Sequence, residues 1–279
     1  MTLHAEDLTR TAAVATRIAI AERTGSTNAD LVRDRALDPA AWPHFSVLVT
    51  DDQTDGRGRL GRVWSAPAGS AVAVSVVLDV EDLRPTDRGW IPLLAGAAMT
   101  RAVRSVVDAA AARHEGDPDE AARHEVMLKW PNDVLIDGYK VSGVLSELLP
   151  DASGLCIGTG LNLALDEHDL PTLTSTSLML VTGSVPDPDA VLAAYLTELS
   201  SLVARFLEHG ADPDASGLRA EVSELCGTLG SAVRVELPGG NDLVGTAVGL
   251  DADGRLIVED QTNGEPQAVA AGDVTHLRY

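Results

Sequence analysis

Lysine is nearly missing from this chain. Of its 21 basic residues, only Lys129 and Lys140 are lysines; the rest are arginines. Lysine is ordinarily among the commonest residues. The shortage reads in two ways. One is a coding bias toward arginine and nothing more. The other is that the two surviving lysines mark places where a compact ammonium cannot be replaced by arginine's planar fork. Aromatics are also scarce, at 3%, so aliphatic side chains and alanine must fill the core. The two cysteines, Cys156 and Cys226, give neither a disulfide framework nor metal-ligand spacing. The seven histidines show no ligand spacing either. No unbroken apolar run approaches the ~18 residues needed to cross a bilayer, and the N-terminus lacks the basic-then-apolar pattern of a leader. A cytoplasmic protein with no membrane partner is expected.

Positive charge is short overall. Against 42 acidic residues, the balance is a net charge of −21. Such a surface repels nucleic acid, so no nucleic-acid partner is expected. It also makes any local cluster of basic residues more informative. What the chain does have is length and apolarity: 279 residues, 45% hydrophobic, enough for one sizeable core and a small second domain.

The pattern of apolar residues predicts an α+β fold. The first 25 residues carry no clear element beyond a short apolar segment. A helix is predicted over 28–37, capped by Ser26 or Thr27, then strands over 46–50 and 71–78. A long helix over 90–112 carries Pro92 in its first turn. The polar stretch 114–125 reads as a solvated loop. Strands follow over 126–130, 134–136, 139–149, 155–157 and 161–165, then helices over 189–209 and 215–226. After Gly230 come five short β-like runs separated by turn clusters at 238–241, 251–254 and 263–264, which suggests a small barrel. The domain boundary is placed at residue 228, giving a catalytic domain of residues 1–228 and a barrel of residues 229–279.

Residues 53–64 concentrate glycine and arginine. Gly56, Gly58 and Gly61 fit the letter of the dinucleotide fingerprint, but that fingerprint must open a helix. Here Pro67 and Gly69 intervene and a strand follows. No Gly-Lys-Ser/Thr follows either, which excludes a Walker A loop. What remains is a loop with Arg57, Arg59 and Arg62 on a strongly acidic protein. Glycine allows close backbone approach to a ligand, and arginine offers paired donors to phosphate or carboxylate. The alternative is a solvated basic loop that offsets Asp51, Asp52 and Asp55.

Residues 129–147 read KWPNDVLIDGYKVSGVLSE. Asp137-Gly138 between two β-like runs is a hairpin signal. A two-residue turn sets Ile136 opposite Tyr139, Leu135 opposite Lys140 and Asp133 opposite Ser142. Asp133 and Lys140 then share a face as diagonal neighbours, with Cβ atoms roughly 7–8 Å apart. A bound anion with Mg²⁺ fits between such groups; a plain cross-strand ion pair is the other reading. Gly143, Gly158 and Gly160 lie within β-like runs, where glycine often marks a ligand's close approach.

Taken together, these segments resemble the biotin–protein ligase family over residues 24–165. Residues 24–28 (TGSTN) are similar to its Ser-Thr-Asn segment, and GRGRLGRVW resembles its biotin and adenylate loop, GRGRxGRxW. The 129–147 run is similar throughout to its KWPND…KxxGxLxE motif, and GTGLNL to its glycine-rich strand ending in Asn162. The tail resembles the SH3-like barrel that ends these enzymes. The fold implied is a mixed-sheet catalytic domain of the class II synthetase-like, biotin–lipoate ligase type, followed by that barrel. The activity implied is ATP-dependent: biotin is activated as biotinyl-5′-AMP and passed to a lysine of a biotin carboxyl carrier domain. That carrier would belong to an acetyl-CoA or other acyl-CoA carboxylase, or to pyruvate carboxylase.

Carried over by position, the resemblance implies that Ser26, Thr27, Gln53, Arg57 and Arg59 touch biotin or the adenylate phosphate. It implies that Lys140 contacts the biotin carboxylate and the mixed anhydride, with Arg57 and Arg59 as its partners in catalysis. Trp64 would order over the adenine. Asn132 and Asp133 would organise nucleotide and Mg²⁺, and Asn162 the nucleotide pocket. Asn28, Gly56, Gly58, Lys129, Gly143 and Gly158 complete the expected binding positions.

Some family members carry an N-terminal DNA-binding domain and repress transcription. The Ser-Thr-Asn segment here begins only 25 residues in, so no repressor role is expected. The nearest rival, a lipoate or octanoate ligase, carries an RRxxGGGxVxHD motif that this chain lacks. A non-catalytic nucleic-acid-binding barrel is disfavoured by the three basic and eight acidic residues of the tail.

Overall fold

The computed structural model describes residues 3–113, 124–237, 242–270 and 272–277. The polar loop expected over 114–125 falls largely outside them, as does the turn expected at 238–241.

The N-terminal segment contains more than the sequence suggests. A short helix α1 (Thr9–Val14) leads into strand β1 (Arg17–Ile20), which pairs in parallel with β2 (Ser46–Thr50). β1 was missed because four residues on a sheet edge show no alternation long enough to read. Between these strands lies α2 (Thr27–Leu37), whose N-cap is Ser26: its side chain accepts from Ala29 N, as the N-cap rule requires. Two short strands, β3 (Gly56–Arg57) and β4 (Val63–Trp64), pair as a ribbon within the arginine–glycine loop. Then come β5 (Ala71–Asp79), the long helix α3 (Trp90–Arg113), and strands β6 (Val126–Lys129), β7 (Asp133–Ile136), β8 (Tyr139–Leu148) and β9 (Gly154–Asn162). The seven longer strands form one mixed sheet in the order β1-β2-β5-β9-β8-β7-β6.

One difference from expectation explains the site. Residues 155–165 read as two strands broken at Gly158 and Gly160, yet β9 runs unbroken through both. Side chains alternate across a strand. On β5, Val72, Val74, Val76 and Leu78 face the main core, as do Leu155, Ile157 and Leu161 of β9. The intervening residues are small over most of both strands. Ala73 pairs with Gly160, Ser75 with Gly158 and Val77 with Cys156. One face of the sheet is therefore packed and the other is hollowed out.

The packed face is covered by α3 and by α5 (Pro188–Glu208), which follows a short helix α4 (Leu178–Thr182) and precedes α6 (Leu218–Leu225). Among the described helices, α5 alone has the length and mean hydropathy, 1.4, of a membrane span. Its apolar residues recur every three or four positions, and Val191, Tyr195, Leu199, Leu202 and Phe206 are buried against the core, the pattern of a core helix. Glu198 and Arg205 interrupt its apolar residues, so no unbroken apolar run marks it in the sequence. On the other face, α2 packs over β5 and β9 with a small cluster of Leu31, Trp42, Leu48, Val77, Leu149 and Cys156.

The tail forms a five-stranded antiparallel sheet in the order β13-β12-β11-β10-β14, from β10 (Ala232–Glu236), β11 (Asp242–Leu250), β12 (Leu256–Asp260), β13 (Pro266–Val269) and β14 (Asp273–His276). It is the small SH3-like end of an α+β fold. Two buried indoles, Trp90 at the start of α3 and Trp130 just after β6, fasten it to the catalytic domain. Trp90 Nε1 donates to Ala252 O at 2.7 Å and Trp130 Nε1 to Gly254 O at 3.1 Å. Both polar tips of these large apolar groups are thus satisfied within one turn of the tail.

Candidate active site

The hollow face of the sheet opens into a cleft of about 1300 Å³. Fifteen of the sixteen positions expected from sequence line it. The exception is Gly56, which sits behind it: a Cβ there would lie 2.3 Å from the Trp64 carbonyl oxygen and 2.5 Å from Gln53 Nε2.

The floor begins with the β7–β8 hairpin. Asp137 (φ 51°) and Gly138 (φ 83°) make the expected two-residue turn. Beyond Leu135↔Lys140 the register slips, so that Val134 pairs with Ser142 and Asp133 with Gly143. The sequence-based register, which set Asp133 opposite Ser142, is corrected by this bulge at Val141. Lys140 still pairs with Leu135 and so stays diagonal to Asp133, and its side chain spans that diagonal to place Nζ 2.6 Å from Asp133 Oδ1. Gly143, Gly160 and Ala73 form one cross-strand row of small residues beside this pair.

Trp64, carried by β4, lies against the same row. A Cβ at Gly160 would come within 2.3 Å of its ring, and Lys140 Nζ stands 5.6 Å from the ring centroid. The lysine thus faces a carboxylate and stands over the indole ring, where a cation is attracted to the aromatic face.

A second polar cluster occupies the start of α2. Thr27 N donates to Gln53 Oε1 at 2.9 Å, and Ser75 Oγ lies 2.8 Å from Thr27 Oγ1 and 2.6 Å from Asn28 Oδ1. Asn28 Nδ2 donates to Glu147 Oε2 at 2.7 Å. Gly158 leaves room for Asn28, since a Cβ there would sit 2.2 Å from Asn28 Oδ1. On the far wall, Asn162 Nδ2 donates to Thr176 O at 2.9 Å.

The arginine loop arches over the opening. Arg59 reaches across to Asn132 Oδ1 at 3.1 Å and toward Gly272 O at 3.5 Å. Asn132 is itself held by β8, donating from Nδ2 to Val144 O at 2.6 Å. Arg62 makes an ion pair with Asp273 of β14. Burial pushes the Asp273 carboxyl up, but the Arg62 hydrogen bond and the nearby cations hold it below the usual carboxylate range. Burial also pulls Lys129 below the ordinary lysine range, against Asp133 and Asp273, and does the same to Arg59. Arg57 is placed differently: it is exposed on the rim, 3.7 Å from Asp55.

The cleft gathers cations around a small-residue floor, the arrangement needed to hold an anion or two anions that must react. It offers little to a resident metal. Asn132 Oδ1 and Asp133 Oδ1 each already face a cation, and no group of three carboxylate, histidine or cysteine side chains among the described residues is placed to hold an ion.

Sequence reasoning missed several contributors. Ser75 was legible as the one polar residue in the aliphatic run 71–78. Glu147 lay within a recognised motif but was assigned no part. Gly272 and Asp273 had no local signal, because only the docking of the tail brings them to the cleft. The segment 171–175 lines it too, fixed by Lys140 N donating to Thr174 O at 2.7 Å.

Comparison with known proteins agrees with this geometry. Residues 20–162 match the biotin/lipoate A/B protein ligase family, and residues 228–277 match the biotin protein ligase C-terminal domain. The biotin–[acetyl-CoA-carboxylase] ligase of Mycobacterium tuberculosis is 36% identical over 259 residues, covering 93% of this chain and 88% of that protein. The biotin protein ligase of Aquifex aeolicus in complex with biotin and ATP superposes with a TM-score of 0.73 at 25% identity, covering 95% of this chain and all of that one. The Leishmania major biotin protein ligase in complex with biotinyl-5-AMP superposes at 0.60, also 25% identical, covering 92% and 99%. With one family match on the catalytic domain, another on the tail, and a relative 36% identical along nearly its whole length, this chain belongs to the biotin/lipoate A/B protein ligase family, among the biotin protein ligases.

Proposed function

We propose that the protein activates biotin with ATP to biotinyl-5′-AMP and then transfers the biotinyl group to a lysine of a biotin carboxyl carrier domain. The observation that carries this reading is the Lys140–Asp133 pair on a glycine floor, under a loop that Arg59 ties across the cleft. In the first step a biotin carboxylate oxygen attacks the α-phosphorus of ATP, a P–O bond forms, and pyrophosphate leaves with the electrons of the bond that breaks. Two anions must approach, so the protein's task is to supply positive charge at the point of reaction. Lys140 meets the carboxylate, and Arg59 and Arg57 the phosphates. No protein nucleophile is needed, since positioning and charge suffice. In the second step the carrier amine attacks the acyl carbon, a C–N bond forms, the C–O bond to AMP breaks, and the amine loses its proton.

The remaining residues divide the ligand between them. Ser26, Thr27 and Gln53 face the biotin ring, with Asn28, Gly56 and Gly158 shaping that wall. Trp64 orders against the adenine, and Gly58 lets the loop backbone approach. Lys129, Asn132, Asn162 and Gly143 serve the nucleotide end and the reacting centre. Magnesium arrives with ATP as part of the substrate. Asn132 and Asp133 are the oxygen donors it meets on this wall, and phosphate and water supply most of its ligands.

The division at residue 228 makes the tail a separate domain that nonetheless completes the cleft through residues 272–277. Carriers of acyl-CoA or pyruvate carboxylases are the partners proposed, in the cytoplasm, with neither membrane nor nucleic acid involved. The net charge of −21 supports the last exclusion. Biotin-dependent exchange of labelled pyrophosphate into ATP tests the first step without a carrier. Exchange with biotin and none with lipoate is expected; exchange with lipoate alone contradicts the reading.

A further inference from the structure

Beneath the cleft a line of polar side chains runs from Glu147 to Thr27, and the chemistry of each group assigns its hydrogens. Asn28 Nδ2 lies 2.7 Å from Glu147 Oε2 and 3.3 Å from Leu145 O. A carboxylate and a carbonyl only accept, so the amide nitrogen must face them and Oδ1 must point the other way. There it meets Ser75 Oγ at 2.6 Å. An amide oxygen cannot donate, so the one hydroxyl hydrogen of Ser75 is committed to Asn28.

Ser75 Oγ also lies 2.8 Å from Thr27 Oγ1. With Ser75's hydrogen committed, the hydrogen in that contact belongs to Thr27. Gln53 Oε1 does not compete for it strongly. It lies 3.2 Å from Thr27 Oγ1 and accepts from Thr27 N at 2.9 Å. The relay is dry enough to hold this pattern: Ser75, Thr27 and Asn28 are 0%, 3% and 4% exposed. Thr27 therefore donates downward, away from the cleft it lines, and offers that cleft a lone pair only.

Resting on the biotin reading above, we infer that Glu147, Asn28 and Ser75 are positioning residues that fix Thr27 Oγ1 as an acceptor. This wall of the cleft thereby selects an acid whose ring carries an N–H donor, as a cyclic urea does, over one without a donor, such as a dithiolane. A buried acceptor left unmatched by its ligand costs more than a matched one gains, which is how polar sites reject analogues lacking the group. Nothing in the relay touches the reacting carboxylate; it acts through Thr27.

The test is a double-mutant cycle on the full-length enzyme, Ser75→Ala with Thr27→Val, read by biotin-dependent pyrophosphate release. Ser75→Ala is expected to raise KM for biotin about fivefold, with kcat and KM for ATP within about twofold. It should also narrow the preference for biotin over biotin methylated on a ureido nitrogen. In the Thr27→Val background, Ser75→Ala should add nothing further to KM for biotin. Glu147→Leu is expected to move KM for biotin in the same direction, while Glu147→Gln, whose carbonyl oxygen still accepts from Asn28, stays within about twofold of the parent. Additive effects of the two substitutions, or equal rises in both KM values for a variant that still folds, overturn the relay. An unsubstituted enzyme inactive on biotin would instead overturn the ligase reading on which the relay rests.

Discussion

Lys140 Nζ stands 2.6 Å from Asp133 Oδ1, and it can do so because position 143 has no side chain. A Cβ there would lie 2.9 Å from both Cε and Nζ of Lys140 and 3.4 Å from Asp133 Oδ1. On a regular strand, residues 140 and 143 would point to opposite faces; the bulge at Val141 brings them to one. Gly143→Ala should therefore displace the ammonium without disturbing the sheet, since what must move is the end of a flexible chain. Adenylate formation is expected to fall at least about tenfold, one lost charge interaction, while Tm stays within a few degrees. Full activity in a folded Gly143→Ala variant would contradict this geometry.

Lys140 itself carries the heavier burden. Lys140→Ala should lower the rate of adenylate formation about 100- to 1000-fold, the usual effect of removing one group that stabilises developing charge. Lys140→Arg should rescue little, because the planar fork does not fit beside Asp133 and the Trp64 ring. Single-turnover measurement of biotinyl-AMP checks both. Near-normal rates in Lys140→Ala would remove the residue from the mechanism.

The loop over the cleft is held at two points, Arg59 to Asn132 and Arg62 to Asp273. Releasing either should let the reactive adenylate escape, and loss of Arg59, which meets the phosphates, should slow the first step as well. Arg59→Gly and Asp273→Asn are each expected to increase free biotinyl-AMP in solution and labelling of bystander lysines on added albumin. If release is unchanged in both, the loop does not retain the intermediate.

These residues also show how far the sequence could be read. The Asp137-Gly138 turn and the pattern around it were sufficient to put Lys140 and Asp133 on one face. The turn chemistry could not reveal the bulge, so the partner of Asp133 was misjudged by one residue. The predicted strands stop on either side of Gly158 and Gly160, although these glycines also signal a close approach to the strand. Their reason is lateral: Asn28 and Trp64 occupy the space where their side chains would be. Asp273 was beyond reach, since its part depends on how Trp90 and Trp130 anchor the tail to the catalytic domain.

Lys129 gives a pH-dependent prediction. Burial lowers its pKa from the ordinary 10.5, with Asp133 and Asp273 opposing and Lys140 and Arg62 reinforcing. The folded state thus holds the proton less tightly than the unfolded chain, so the charged amine opposes folding at neutral pH. That penalty fades as pH rises from the lowered value toward 10.5. Lys129→Met, similar in length and uncharged, should melt higher than the parent at pH 7, with the gap narrowing toward pH 10. A gap of the opposite sign, or one independent of pH, would contradict the burial argument.

The most direct test of the whole account is transfer. Purified protein, ATP and Mg²⁺ are incubated with a biotin carboxyl carrier domain and either biotin or lipoate, and the carrier is weighed by mass spectrometry. The account predicts a single biotin-sized mass gain, confined to one carrier lysine and absent with lipoate. A carrier that gains lipoate, or one that gains nothing while a known biotin ligase modifies it under the same conditions, would contradict it.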